Sequence, residues 1–244
     1  MRQNLEALSH AGYFCDEEGK IFLLNKPLEW TSFNVVKKVR SLFNLRKVGH
    51  AGTLDPRAEG LLIVCTEKKT KLVAEFSSLE KEYHGTMILG ARTKSFDAET
   101  AVYEQHSVEG ITEEQICNAM HTFVGQQEQL PPMYSALKHQ GKSLYEYARR
   151  GSEIERTPRT VSITIFEMVH WESPSVVFRV VCSKGTYIRS LVNDIGNTLG
   201  CGAYLSSLTR TRIGNFTLAN AISVDGLIPL AKQYGSPRIS KSVV

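Results

Sequence analysis

Two strand-like runs, VSITIFEMVHWE (161–172) and SVVFRVVCS (175–183), are parted only by Ser173 and Pro174. A strand that follows another after so short a break has no room for a helical crossover, which a parallel neighbour needs. Three further runs read as strands. IFLLN from Ile21 and LLIVC at Leu61–Cys65 are apolar, and KEYHGTMILG alternates and then turns at Gly90. Helices are interspersed among these runs rather than alternating with them. The expected class is therefore α+β, with a central, largely antiparallel or mixed sheet flanked by helices.

The helices carry their own signals. From Ser32 the apolar residues Phe33, Val36, Val39, Leu42 and Phe43 suggest one buried face, with Lys37, Lys38 and Arg40 around the others. In ITEEQICNAMHTFVG, Thr112 and Gln115 have the spacing of a capping box and Gly125 is a suitable stop. GTYIRSLVNDIGNTLG places Ile188, Leu191, Val192, Ile195 and Leu199 on one helical face. TEKKTKLVAEF has helical character, and one short helical stretch is expected after Ile222.

Charge is segregated along the chain. Net charge is only +4, but Lys37, Lys38, Arg40, Arg46 and Lys47 cluster with no acid between them. Asp97, Glu99, Glu104, Glu109, Glu113, Glu114 and Glu128 then accumulate, and Lys138, Lys142, Arg149, Arg150, Arg156 and Arg159 follow. This pattern suits a protein with one basic face and one solvated acidic face. The five cysteines are scattered and show no CxxC spacing, so neither a zinc site nor a disulfide framework follows, and a reducing cytoplasm is the default. No apolar stretch is long enough to span a bilayer, and no membrane association is expected.

GHAGTLDPRAEGLL (49–62) sets an aspartate, Asp55, between a glycine-rich turn and the apolar run at Leu61. Proline at position 56 keeps Asp55 out of the helical region. A carboxylate beside a buried strand is partly desolvated and needs a partner to stay ionised. Arg189, in CSKGTYIRSL, stands where a strand ends and a helix begins, and a guanidinium there can hold a carboxylate bidentately. The sequence by itself leaves the alternative of a surface arginine open.

Five blocks occur in order over roughly Ile21 to Phe216: NKPLEWTSFNVVKKVR, GHAGTLDPRAEGLL, KEYHGTMILGARTKSFDAE, QLPPMYSALKHQGKSLYEYARRG and CSKGTYIRSLVNDIGNTLGCGAYLSSLTRTRIGNF. Together they resemble the TruB-type pseudouridine synthases. The resemblance implies the pseudouridine synthase fold and isomerisation of uridine to pseudouridine at position 55 in the T loop of tRNA. It implies base flipping, no cofactor and no metal. It assigns Asp55 the essential catalytic role, by attack on C1′ or C6 or by assisting elimination. Tyr83 would stack on the target base and Arg189 would pair with Asp55. Tyr187 and Leu208 would wall the pocket, and His50 would contact the T loop where the base has left its stack. Lys94 and Thr100 depart from the usual family pattern.

The domain plan implied is an N-terminal extension (1–20), a catalytic domain (21–216) and a short tail (217–244) without a PUA-type domain. Within the catalytic domain, 131–159 would grip RNA through Lys142, Arg149 and Arg150. The expected partner is the T-stem loop of tRNA, acted on by a cytoplasmic monomer with no obligate protein partner. Two other readings are a guide-RNA-dependent synthase of the archaeal and eukaryotic branch and a non-catalytic tRNA-folding factor.

Overall fold

The computed structural model describes Leu8 and residues 10–234. Two compact units divide the chain: residues up to Lys81 together with those from Thr209 form one, and Glu82–Leu208 the other. Each holds mostly antiparallel strands flanked by helices, as expected for an α+β chain.

In the first unit, strand Gly19–Lys26 lies antiparallel to Tyr13–Asp16 on one side and to Ala58–Thr66 on the other. Val48–Ala51 pairs with the second half of Ala58–Thr66, and Ile222–Ser223 adds the one parallel neighbour among these described pairings. The apolar runs are continuous because this sheet is covered on both faces. Ile21, Leu23, Leu61, Ile63 and Cys65 pack with Phe76 and Phe216 on one side. Phe22, Leu24, Leu62 and Val64 pack with Val35, Val39, Phe43 and Leu227 on the other. Each such fully buried side chain contributes about 1.5–3 kcal/mol, which makes this the stable frame beneath the Asp55 loop.

Helix Ser32–Phe43 starts at Thr31, whose hydroxyl accepts the amide of Asn34 while the Asn34 side chain returns to the Thr31 amide. Its buried stripe is Ser32, Val35, Val36, Val39 and Phe43. Phe33, expected on that stripe, is instead 55% exposed. Ser32 occupies the inward position because its hydroxyl is bonded to Leu54, and that turns Phe33 to solvent. Of the segment before Ile21, expected as an extension, Tyr13–Asp16 is a strand and Leu8 is fully buried.

Strand Lys81–Leu89, which belongs to the second unit from Glu82 onward, alternates buried and half-buried positions, as its sequence pattern requires. Arg159–Glu172 and Ser175–Cys182 form the hairpin around Ser173-Pro174, and Gly125–Gln129 pairs with the outer edge of the former. Helix Glu113–His121 has the expected capping box but stops before Gly125, which opens the next strand. The Thr122 hydroxyl turns back to the Ala119 carbonyl at that end. Helix Ile188–Thr198 lies so close to Ala203 that a Cβ on Gly196 would stand 2.1 Å from the Ala203 nitrogen. An eleven-residue strand, Ala203–Ile213, was not evident from the sequence; its first residues belong to this unit and its last to the other.

Candidate active site

Asp55 sits half-buried in a turn closed by the Ala58 amide donating to its own carbonyl at 3.1 Å. The residue before it is held twice. Ser32 Oγ donates to the Leu54 carbonyl at 3.0 Å and accepts the Leu54 amide at 2.9 Å. The residue after it is held once, by the Glu29 amide on the Pro56 carbonyl at 2.8 Å, beside an Arg57–Glu29 ion pair of 2.7 Å. Arg210, 1% exposed, closes the other end of the loop: Nη2 donates to the Gly52 carbonyl at 2.9 Å and Nε to the Leu61 carbonyl at 2.7 Å. Gly60 (φ +102°) permits this, since a Cβ there would stand 2.4 Å from the Arg210 carbonyl oxygen. The position of the Asp55 backbone is thus fixed by side chains from a helix start and from a distant strand.

Lys26 is fully buried at the end of its strand, and its Nζ donates to the carbonyls of Pro27 at 2.8 Å and Trp30 at 2.6 Å. Burial pushes its pKa down to about 8, against the opposing pull of the Asp55 and Glu59 charges. Its ammonium therefore holds the 27–30 turn and places a positive charge in the field of Asp55. His50, half-buried on strand Val48–Ala51, has a buried Nδ1 with no hydrogen-bond partner. Burial, and then the Arg210 charge, lower its pKa below the ordinary histidine value.

In the second unit Arg189 opens helix Ile188–Thr198 and is 4% exposed. All three guanidinium nitrogens are engaged. Nη1 donates to the Ser95 carbonyl at 3.0 Å, Nη2 to the Tyr134 carbonyl at 2.8 Å, and Nε lies 3.5 Å from Asp97 Oδ2. The other Asp97 oxygen accepts from Ser95 Oγ at 2.5 Å and the Glu99 amide at 2.9 Å. Asp97 is 3% exposed, so its expected place on a solvated acidic face is corrected: it is the buried counter-ion of Arg189. Thr100 belongs to this same loop, its hydroxyl accepting the Ser95 amide at 3.0 Å.

Tyr187 is fixed by the Gln129 amide group, which accepts from its N–H at 2.7 Å and donates to its carbonyl at 3.1 Å. Tyr83 is buried on the same side of its strand as Met87 and Leu89, and Leu208 is half-buried on Ala203–Ile213. Lys142, Arg149 and Arg150 are exposed. Helix Leu144–Arg149 is tied to the Arg189 loop through Tyr145, whose hydroxyl donates to Glu99 Oε1 at 2.6 Å, with Arg149 stacked 4.5 Å from the Tyr145 ring centre.

The model of the TruB family pseudouridylate synthase N-terminal domain matches residues 40–188, and that of the tRNA pseudouridylate synthase B C-terminal domain matches 189–235. The chain belongs to the TruB family. It is similar to the tRNA pseudouridine synthase B of Chloroherpeton thalassium, 44% identical over 216 residues, which span 86% of this chain and 90% of that one. The Chlorobaculum tepidum protein of the same name is 46% identical over 217 residues, spanning 87% and 90%. Among solved structures, a chain of a Cbf5-Nop10-Gar1 complex aligns with a TM-score of 0.68 and 34% identity over 87% of this chain. The alignment spans 54% of that longer chain.

Set against this TruB framework, the structure places Asp55 and His50 in the first unit and Tyr83, Lys142, Arg149, Arg150, Tyr187, Arg189 and Leu208 in the second. Sequence reasoning missed Lys26, Arg210, Asp97 and Gln129. Lys26 had a local signal, a charge closing an apolar strand before a proline. The others are bonded to residues remote in sequence, and no local pattern marks them.

Proposed function

We propose that this protein isomerises uridine to pseudouridine at position 55, in the T loop of tRNA, with the Asp55 carboxylate as its catalytic group. The observation that carries the reading is the Asp55 turn, held from both sides by Ser32 and Arg210 within the block that matches the TruB family. A preset carboxylate is what the chemistry requires. In this reaction the C1′–N1 bond breaks, the uracil turns, and a C1′–C5 bond forms. The proton leaves C5, one is gained at N1, and no electrons are lost or gained. The base has to leave its stack for both reacting atoms to be reached.

Arg189 serves as the cation for the Asp55 carboxylate, and its guanidinium plane is set by Ser95, Tyr134 and Asp97. Tyr83 supplies the aromatic face for the base, Tyr187 and Leu208 its walls, and His50, kept neutral, meets the T loop. Lys142, Arg149 and Arg150 meet backbone phosphates from segment 131–159. Residues 21–216 carry the catalysis, in a cytoplasmic monomer that needs no partner protein. The match to relatives named tRNA pseudouridine synthase B over 90% of their own length supports tRNA as the substrate. No described helix is long and apolar enough to cross a membrane.

Incubation with a tRNA transcript tritiated at uridine C5 tests the reading. Tritium is expected to enter water once per molecule, and to stop doing so when the T-loop uridine is replaced by cytidine. Release that persists after that replacement would overturn the assigned position.

A further inference from the structure

The basic cluster of helix Ser32–Phe43 and the turn after it has no part in the site described above. Phe33, Lys37 and Arg40 fall at i, i+4 and i+7, on one exposed face of that helix. The Lys37 ammonium lies 5.0 Å from the centre of the Phe33 ring, yet Phe33 stays 55% exposed. A phenylalanine so open at the first turn of a helix adds nothing to the core. From Trp30 to Leu54 the sequence contains no Asp or Glu. Lys37, Lys38, Arg40, Arg46 and Lys47 form no side-chain ion pair with any described residue.

The face is also rigidly placed. Ser32, adjacent to Phe33, is the residue whose hydroxyl grips Leu54, next to Asp55. The Thr31–Asn34 capping box fixes the helix start. An aromatic face bordered by unpaired cations is how proteins bind an RNA strand without reading its sequence: the ring stacks on a base and the cations meet phosphates.

We propose that the Phe33–Lys37–Arg40 face is a second RNA-binding surface, which stacks an accessible base of the tRNA on Phe33 and holds flanking phosphates with Lys37 and Arg40. This rests on the reading of the protein as a tRNA-modifying enzyme. It adds a contact to RNA other than the flipped uridine. Charge decides for RNA over a protein partner: Lys37 lies against the ring and Arg40 follows it on the same exposed face, in a stretch from Trp30 to Leu54 that holds no acid, which matches a polyanion that also carries flat bases.

The test is fluorescence anisotropy of a labelled, unmodified tRNA transcript with the full chain, repeated over a range of salt concentrations. Phe33→Ser is expected to raise the Kd about tenfold without changing the salt slope, and Phe33→Trp to bind like wild type. Lys37→Gln with Arg40→Gln is expected to lower the slope of log K against log salt by about 1.5, for two phosphates. Circular dichroism checks that each variant is folded, which the exposure of all three side chains favours. Wild-type Kd and slope in both Phe33→Ser and the double variant would overturn the surface while leaving the isomerase reading intact. Failure of the wild type to bind tRNA would overturn both.

Discussion

Arg210→Met removes the side chain that closes the Asp55 loop from the strand beside it. The guanidinium donates to the buried Leu61 carbonyl and to the partly buried Gly52 carbonyl. Hydrogen bonds from a charged donor contribute about 1.5–3 kcal/mol each, so losing both costs about 3–6 kcal/mol. Methionine fills much of the volume, and removing the charge relieves its repulsion of Lys26 and His50, whose pKa values are lowered first by burial and then, to a lesser degree, by the Arg210 charge. The expected net loss is about 2–4 kcal/mol, a large part of a typical stability of about 5–15 kcal/mol. Urea unfolding should show the midpoint falling by about 1–2 M with an unchanged slope. In the same variant the His50 pKa, followed by NMR, should rise toward its ordinary value. A midpoint shift corresponding to less than about 1 kcal/mol, with His50 unmoved, would refute the view that Arg210 clamps this loop.

Three other outcomes follow from the same geometry. Arg189→Met leaves Asp97 buried without its counter-ion and should cost about 3–5 kcal/mol; adding Asp97→Asn should recover part of that loss, so a strictly additive double-mutant cycle in urea would contradict the pair. His50, with a folded pKa below the unfolded value of 6.5, holds fewer protons folded than unfolded. Its contribution is complete above pH 6.5 and is lost as pH falls through the lower folded value, so the wild-type urea midpoint should drop between pH 7 and 5 more than that of His50→Gln. Alanine at Lys142, Arg149 and Arg150 together should weaken tRNA binding and flatten its salt dependence, and an unchanged slope would remove this segment from the RNA interface.

The parts legible in the sequence were those decided by local pattern. IFLL and LLIVC read as buried strands because both faces of their sheet are covered, and the Thr112–Gln115 box marked a helix start that the structure keeps. Strand Ala203–Ile213 was hidden because Ser206, Ser207, Arg210 and Arg212 break its apolar character. Arg210 is nevertheless almost fully buried, since backbone carbonyls 149 and 158 residues away accept its protons. Asp97 was lost in a run of acids for the same reason: its partner, Arg189, is remote in sequence. Phe33 was misplaced because periodicity allows it or Ser32 to face inward, and a hydroxyl bond to Leu54 decides. Asp55 was singled out from its block, but the side chains that hold and charge its surroundings (Ser32, Lys26 and Arg210) came only with the fold.

Tritium release from C5-labelled tRNA by Asp55→Asn, measured beside wild type, tests whether the Asp55 carboxylate performs the isomerisation. Asparagine keeps the size of the side chain and removes the charge. Release is expected from wild type alone, with tRNA affinity in the variant within a few-fold of wild type. Continued release by Asp55→Asn at a rate near that of wild type would show that the carboxylate is not the catalytic group.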